Sequence, residues 1–276
     1  MSNGSTVIRN VTENIATFSR PFSRFGIFPI GGRSTAIRLR GENGGVWLLA
    51  STPLDEQTKA KLNEMGPVKY VVAGDYEHSM FVKQYADAYP DAKVIGVDGL
   101  SEKNKDVKWT GEYGKSPIDT KYGFEDEIQS RYFATFNNKD MVFCHKDSKT
   151  LIAVDLLFNL PCNEQYKNVP GGKVNTWVPF YGSLAKKFSP ESKTHQGFLW
   201  NTSAMHDFAP NEKTPGSRAS TTEERRKRFA KDAEEVASWD FEKIIPCHGD
   251  VIENGGKQAW LSAFARFLGP DGKSKI

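Results

Sequence analysis

The 276-residue chain has few of the residues from which disulfide scaffolds and histidine-rich metal clusters are built. It contains five histidines and three cysteines, which excludes a disulfide-stapled fold and a zinc ribbon. The three cysteines are odd in number and far apart in sequence, as is typical of reduced thiols in a cytosolic protein. No apolar run approaches the roughly 20 residues needed to cross a membrane, and residues 1–14 lack the apolar core of a signal peptide. We therefore expect a cytoplasmic protein with no membrane partner.

A surplus of charge of one sign is also missing. The chain has 37 Lys and Arg residues against 34 Asp and Glu residues, for a net charge of +3. The densest basic run, Arg225–Arg228, is flanked by acidic residues. Nucleic-acid-binding proteins usually carry a segregated basic face, so we expect a small-molecule substrate and no nucleic-acid partner. The oligomeric state is left open.

The residue pattern that is present favours an α/β protein. Two β-like runs, Thr35–Leu39 and Val46–Ala50, predict a hairpin. Alternating helical and strand patterns then follow at 54–65, 69–73, 80–88 and 93–97. This order predicts a layered α/β architecture.

The second half of the chain adds a further hairpin and two helices around a strand. The hairpin is predicted at 141–144 and 151–154, the helices at 221–237 and 260–268, and the strand at 243–246. Thr221 and Glu224 have the spacing of a capping box. Without an internal repeat or linker, we expect a single domain over 1–276, with a polar tail at about 1–20. An irregular, aromatic-containing insertion at about 159–219 would either line a substrate pocket or cover the core.

Metal-capable side chains follow three predicted strands. Asp75, Glu77 and His78 come after the strand at 69–73, Asp155 comes after 151–154, and His248 comes after the strand at 243–246. In open α/β sheets ligands bind at strand ends. Taken singly, each residue is explained equally well by a turn or a helix cap.

Together, these positions resemble the metallo-β-lactamase-fold superfamily of metallohydrolases. Its H-x-H-x-D-H signature aligns with residues 73–78, its bridging aspartate with Asp155, and its terminal histidine with His248. The resemblance covers about residues 26–268 and implies an αββα sandwich. Within the superfamily the chain is most similar to a divergent branch of unassigned function that has an incomplete set of metal ligands.

The departures from that signature imply a reduced metal site. The first metal site would be lost, because Ala73 and Asp75 stand at its histidine positions and no histidine occurs near 133–136. The ligand set of the second site is retained, with glutamate in place of aspartate. The residues that the resemblance places there are Glu77, His78, Asp155 and His248. This set would hold one divalent metal, zinc or else manganese or iron, with Asp75 as the general base acting on metal-bound water.

Three functional hypotheses follow. The first is a mononuclear metal-dependent hydrolase acting on a small ester, lactone or thioester. The second is a metal-free scaffold that binds a ligand or a partner protein, and the third is a single iron or manganese site with oxygenase or lyase chemistry. His195 and His206 lie in the insertion and are further candidate ligands, whereas His145 is expected in a surface turn and Cys247 is expected to be a buried small side chain.

Overall fold

The computed structural model describes residues 5–41, 44–174 and 176–276. The strands of this part of the chain are β1 (Val7–Asn10), β2 (Ile15–Arg20), β3 (Ser23–Arg24), β4 (Phe28–Pro29), β5 (Gly32–Leu39), β6 (Gly45–Leu49), β7 (Val68–Val72), β8 (Lys93–Val97), β9 (Gly111–Tyr113), β10 (Ile128–Phe133), β11 (Asp140–His145), β12 (Thr150–Ala153) and β13 (Lys243–Pro246). The helices are α1 (Glu56–Met65), α2 (Val82–Ala88), α3 (Leu100–Lys103), α4 (Tyr181–Ala185), α5 (Lys193–Thr202), α6 (Thr222–Ser238) and α7 (Gly256–Ala263).

Two sheets form the centre of the molecule. The larger sheet has the strand order β1-β2-β5-β6-β7-β8-β9, and the smaller one has the order β10-β11-β12-β13. The larger sheet is antiparallel from β1 to β6 and parallel from β6 to β9. In the smaller sheet only the pair β12 and β13 is parallel. The two predicted hairpins are confirmed as the antiparallel pairs β5–β6 and β11–β12.

Apolar side chains fill two layers, one between the sheets and one beneath the smaller sheet. Trp47 on β6 meets Phe143 on β11 with ring centroids 4.8 Å apart. On the other face of the smaller sheet, Phe133 packs against Phe229 of α6 and Trp260 of α7. Helices α1 and α2 pack on β6 and β7 of the larger sheet. The order helix, sheet, sheet, helix confirms the predicted αββα sandwich.

The predicted start of α6 is confirmed in detail. The hydroxyl of Thr221 accepts a hydrogen bond from the amide of Glu224 at 3.2 Å, and the Glu224 carboxylate accepts from the amide of Thr221 at 2.7 Å. This capping box satisfies two amides that the helix itself leaves without partners. It fixes the start of the helix that covers the smaller sheet.

The structure differs from the sequence prediction in two segments. The polar tail predicted over about 1–20 is wrong from residue 7 onward, because β1 and β2 form the edge of the larger sheet and β2 is almost fully buried. The insertion predicted to be irregular contains the ten-residue helix α5, whose N-cap is Ser192. This helix buries Leu199 in the apolar layer beneath the smaller sheet, which we call the lower core. Among the described residues, no helix is long and apolar enough to cross a membrane. The single-domain organisation stays a prediction.

Candidate metal centre

The loops after β7, β12 and β13 bring three of the predicted ligands together. The ligand atoms of His78, Asp155 and His248 all lie within 4.8 Å of one another. The Nε2 atoms of the two histidines are 3.0 Å apart, and His248 Nε2 lies 3.2 Å from Asp155 Oδ1. Asp155 and His248 are buried and His78 is half-buried. No other group of this kind occurs in the part of the chain that the structure describes.

The second ring nitrogen of each histidine is held by an acceptor. His78 Nδ1 lies 2.8 Å from Asp75 Oδ2, and His248 Nδ1 lies 2.6 Å from the carbonyl oxygen of Gly31. Because a carboxylate and a carbonyl only accept, each Nδ1 carries a hydrogen and each neutral ring presents an Nε2 lone pair. Metal-binding histidines are oriented in this way in proteins.

When both rings are neutral, the lone pairs of the centre converge without a donor between them. The raised pKa of His78 favours a proton on that ring when no metal is bound. The two Nε2 atoms face each other, and Asp155 Oδ1 is buried with no hydrogen-bond donor among the described residues. Two imidazole nitrogens and one carboxylate oxygen at this separation need a cation, either a proton or a metal ion. Two histidines and one carboxylate are also a known ligand set of catalytic zinc, so the residues fit a divalent metal.

The carboxylate ligand is itself oriented by buried polar groups. Asn138 Nδ2 donates to Asp155 Oδ2 at 2.5 Å, and the Asp155 amide donates to Asp140 Oδ2 at 2.7 Å. Burial raises the pKa of Asp140 well above its ordinary range, and the neighbouring carboxylates of Asp75 and Asp155 add to this effect. Asp140 and Asn138 thus form a supporting layer that the sequence analysis did not identify.

The charges of the three ligands are strongly coupled. Burial disfavours the anion of Asp155, but His78 and His248 outweigh burial and lower its pKa to about 2. Burial also disfavours a charge on His78, but the carboxylates of Asp75 and Asp155 outweigh it and raise its pKa to about 9. The centre thus favours positive charge beside the Asp155 carboxylate.

Asp75 and Glu77 lie outside the three-residue group. Asp75 is fully buried, and its Oδ1 accepts from the amides of Glu77 at 2.8 Å and of His78 at 2.6 Å. With Oδ2 on His78 Nδ1, both of its oxygens are engaged within its own loop. Glu77 is exposed and does not belong to the three-residue group. The geometry thus shows Asp75 orienting His78, and its role as a base stays a prediction.

The remaining histidines lie outside the centre. His195 is buried on α5, where its Nε2 accepts from the amide of Phe158 at 3.2 Å. His206 Nε2 lies 2.7 Å from the carbonyl oxygen of Asn137. The surface position predicted for His145 is wrong, since its ring is buried with Nδ1 2.8 Å from the Ser148 hydroxyl.

Cys247 is buried, as predicted. The aromatic side chains of the insertion, by contrast, divide between the core and the solvent. Trp200 packs against the lower core, with its ring centroid 5.3 Å from that of Phe267. Trp177 and Phe180 are 73% and 86% exposed, so they neither cover the core nor line a closed pocket.

Two aromatic rings enclose His248. The Phe158 ring stacks on the imidazole with 5.3 Å between ring centroids and an interplanar angle of 8°. The Phe22 ring also lies over the imidazole, with 6.3 Å between centroids and an interplanar angle of 24°. The cleft of about 730 Å³ in the structure lies elsewhere, between the β9 region, β10 and α6, and none of the three metal-ligand candidates lines it. The His248 ring is therefore covered, and this cleft does not reach the centre.

The comparisons with known proteins identify the fold. No protein-family model and no curated protein matches the chain. Solved structures do match, as follows. A metallo-β-lactamase from Hirschia baltica has 11% identity and a TM-score of 0.54, with 99% of this chain and 100% of that chain covered. The FIM-1 enzyme from Pseudomonas aeruginosa, in its mono-zinc form, has 9% identity and a TM-score of 0.55 over 96% of both chains. A metallo-β-lactamase from Erythrobacter litoralis has 11% identity and a TM-score of 0.56, covering 96% of this chain and 97% of that one. The chain therefore has the metallo-β-lactamase fold, with a candidate metal centre of two histidines and one aspartate.

Proposed function

We propose that the protein is a mononuclear metal-dependent hydrolase in which His78, Asp155 and His248 hold one divalent cation. One observation carries the proposal: the Nε2 atoms of the two histidines face each other at 3.0 Å while both Nδ1 atoms are held by acceptors. Such a pair is stabilised by a cation bound to both lone pairs. The mono-zinc form of a protein with the same fold supports a single-metal arrangement.

Zinc is the first candidate for this cation. Two imidazoles and one carboxylate leave a fourth tetrahedral position for water or substrate, as in catalytic zinc sites. Manganese and iron accept the same nitrogen and oxygen ligands, and with either metal the oxygenase or lyase hypothesis would apply. The identity of the metal in the native protein distinguishes the hydrolase hypothesis from the oxygenase or lyase hypothesis.

The chain's own residues would orient the ligands and exclude water. A bound divalent cation supplies polarisation of an ester, lactone or thioester carbonyl and a lowered pKa of its bound water. Asp75 keeps the lone pair of His78 directed into the centre, and Asn138 keeps Asp155 Oδ1 free by occupying Oδ2. Asp75 is the first candidate for the general base. Glu77, which is exposed in the same loop and whose carboxylate makes no hydrogen bond or ion pair among the described residues, is a second candidate. Phe22, whose ring lies over the His248 ring, would border a substrate bound at the centre.

The burial of the centre favours a second candidate function. Phe22 and Phe158 cover His248, and the cleft of about 730 Å³ between the β9 region, β10 and α6 does not reach the three ligands. A metal-free scaffold that binds a ligand in that cleft, or a partner elsewhere on its surface, is consistent with these two observations.

Elemental analysis of untagged protein purified without chelators separates the two candidates. The hydrolase proposal expects about one equivalent of metal, together with hydrolysis of at least one ester, lactone or thioester in a chromogenic panel. His248→Ala should lose both the metal and the activity. His206→Ala, which removes a histidine outside the centre, should keep both. Metal-free wild-type protein whose reactivity is unchanged by His248→Ala would overturn the proposal in favour of the scaffold.

A further inference from the structure

Exposed hydrophobic side chains are concentrated in two segments, 21–30 and 165–190. Six of the ten large hydrophobic side chains exposed in the described chain belong to them. We call these six the aromatic face, and they are Phe22, Phe25, Ile27, Trp177, Phe180 and Leu184. Single exposed hydrophobic residues are ordinary, whereas contiguous exposed hydrophobic patches mark interaction surfaces.

The two segments are packed together as one unit. The rings of Phe28 and Tyr181 lie 5.4 Å apart, and the Tyr181 hydroxyl donates to the carbonyl of Pro29 at 2.8 Å. The Tyr166 hydroxyl donates to the carbonyl of Phe22 at 3.0 Å. Beneath these contacts is a small core of its own that includes Ile30, Tyr166 and Tyr181. The aromatic face is therefore carried by an ordered support and not by separate loops.

The outermost rings project into water from unfavourable backbone conformations. Phe25 is 85% exposed and Phe180 is 86% exposed. Both have positive φ, 55° and 54° respectively, a region that bulky residues rarely adopt. Backbone strain of this type is concentrated where a segment has a function. Neither ring gains burial in the isolated chain that would offset its strain.

All the charges in these segments are positive. Segments 21–30 and 165–190 contain no Asp or Glu; the acids that flank the second segment are Glu164, which pairs with Arg9 and Arg33, and Glu191. The cations are all exposed, and they are Arg24, Lys167, Lys173, Lys186 and Lys187. None of the five makes an ion pair with a described residue, and the guanidinium of Arg24 lies 5.0 Å from the ring centroid of Phe25. The surface thus combines projecting aromatic rings with unpaired cations.

We propose that the aromatic face docks on the surface of an anionic lipid bilayer. Aromatic side chains partition into the membrane interface, and each Lys or Arg near an anionic leaflet adds to the attraction. A symmetric contact with a second copy of this chain fits less well, because it would bring the five cations of one copy against the five cations of the other. The side chains of Phe25 and Phe180 are 85% and 86% exposed. Rings that project this far fit insertion into a lipid surface better than contact with a flat protein surface.

Docking in this manner brings the metal centre to the bilayer surface. Phe22 belongs to the aromatic face and also lies over the His248 ring, with 6.3 Å between ring centroids. The docking itself needs no metal and no catalysis. His248→Ala should therefore bind vesicles as well as wild-type protein does, which keeps this inference separate from the proposed hydrolase function.

The test is vesicle flotation with the full chain. Wild-type protein should float with phosphatidylcholine vesicles that contain about 30% phosphatidylserine, and it should not float with pure phosphatidylcholine. The double variants Phe25→Ser/Phe180→Ser and Lys186→Glu/Lys187→Glu should each weaken binding by about tenfold or more. All four positions are exposed, so the variants should keep the wild-type circular dichroism spectrum.

Matched controls change the same residue types elsewhere on the surface. Ile118→Ser/Met205→Ser removes two hydrophobic side chains that are 76% and 55% exposed, and Lys59→Glu/Lys105→Glu reverses two exposed lysines. Both control variants should bind like wild type.

Wild-type protein that fails to float with phosphatidylserine vesicles would overturn the proposal. Binding that Phe25→Ser/Phe180→Ser leaves unchanged would also overturn it, since that result indicates adsorption by charge alone. A third outcome would also overturn the proposal: the wild-type protein does not bind vesicles but self-associates in solution, and the Phe25→Ser/Phe180→Ser variant does not self-associate. That result would identify the aromatic face as a protein interface.

Discussion

Arg33 holds the loop that carries His248 from inside the protein. Its fully buried guanidinium donates through Nη1 to the carbonyl of Pro246 at 2.6 Å and to that of Gly249 at 2.7 Å, on either side of His248. Its Nη2 donates to Glu164 Oε2 at 2.9 Å. One buried cation thus fixes the backbone on both sides of a metal-ligand candidate.

Arg33→Lys should therefore weaken metal binding more than it weakens folding. A lysine keeps the charge opposite Glu164 but cannot reach both carbonyls with the planar geometry of a guanidinium. We expect a loss of about 10- to 100-fold in zinc affinity, measured by competition with a chromophoric chelator, and a loss of a few kcal/mol in unfolding free energy in urea.

Arg9→Lys is the matched control for this substitution. Arg9 also pairs with Glu164, at 3.1 Å, but it is partly exposed and does not contact the His248 loop. It should change stability by less than about 1 kcal/mol and leave zinc affinity unaltered. Equal zinc affinities of Arg33→Lys and wild type would show that the loop does not need Arg33 to bind metal.

Asp75→Asn tests the orientation of His78. The asparagine side chain has nearly the same shape but can present an N–H to His78 Nδ1, where the wild-type carboxylate only accepts. That contact favours the tautomer with hydrogen on Nε2, so the lone pair is turned away from the centre. Zinc affinity should fall by about 10- to 100-fold, whereas Asp87→Asn, at an exposed Lys83 pair, should leave it unchanged. An unaltered affinity in Asp75→Asn would contradict the positioning role and return Asp75 to consideration as a base.

The three candidate ligands were predictable from the strands that precede them together with the resemblance to a family signature. His78, Asp155 and His248 lie in the loops after β7, β12 and β13, and strand ends of a sandwich meet at one edge. The exposure of Glu77 was not predictable, because residue spacing within a turn does not give side-chain direction. Arg33 and the Gly31 carbonyl were also missed. They reach the His248 loop from more than 200 positions away in sequence, and a backbone acceptor has no residue signature.

The edge strands and the aromatic face show two other limits of sequence reasoning. Strands β1 and β2 contain asparagine, threonine, serine and arginine, so their pairing has no strong apolar alternation to mark it. The expectation of no membrane partner considered only the length of apolar runs, which detects spanning helices. The proposed docking surface is made of separate rings and lysines, so it contains no long apolar run. Its residues can be recognised as one surface only from the packing of segments 21–30 and 165–190 against each other.

The capping box of α6 offers a test of local stability away from the metal centre. Thr221→Ala removes the acceptor for the Glu224 amide and should lower the unfolding free energy by about 1 kcal/mol. Thr222→Ala, at the next position in the same helix, lacks this role and should change it by less than about 0.5 kcal/mol. Urea unfolding followed by circular dichroism measures both. If the two variants were equally stable, the box would contribute nothing to the fold.

His195 should make the protein less stable as the pH falls below neutral. Burial lowers the pKa of His195 to about 4, whereas an unfolded histidine has a pKa of about 6.5. Between these two values the unfolded chain binds a proton that the folded chain does not, so the free energy of unfolding decreases as the pH falls from 6.5 to 4. Above pH 6.5 both states are neutral and His195 contributes no pH dependence.

The size of this effect follows from the difference between the two pKa values, and it reaches about 3 kcal/mol at pH 4. His195→Gln retains a side-chain acceptor near the Phe158 amide and cannot titrate, so its unfolding free energy should fall less than that of wild type over this range. The difference between the two proteins, measured by urea unfolding at pH 7.5, 6 and 5, isolates His195 from His78, whose raised pKa acts in the opposite direction. Parallel pH profiles for wild type and His195→Gln would mean that His195 takes up its proton in the folded state as readily as in the unfolded chain.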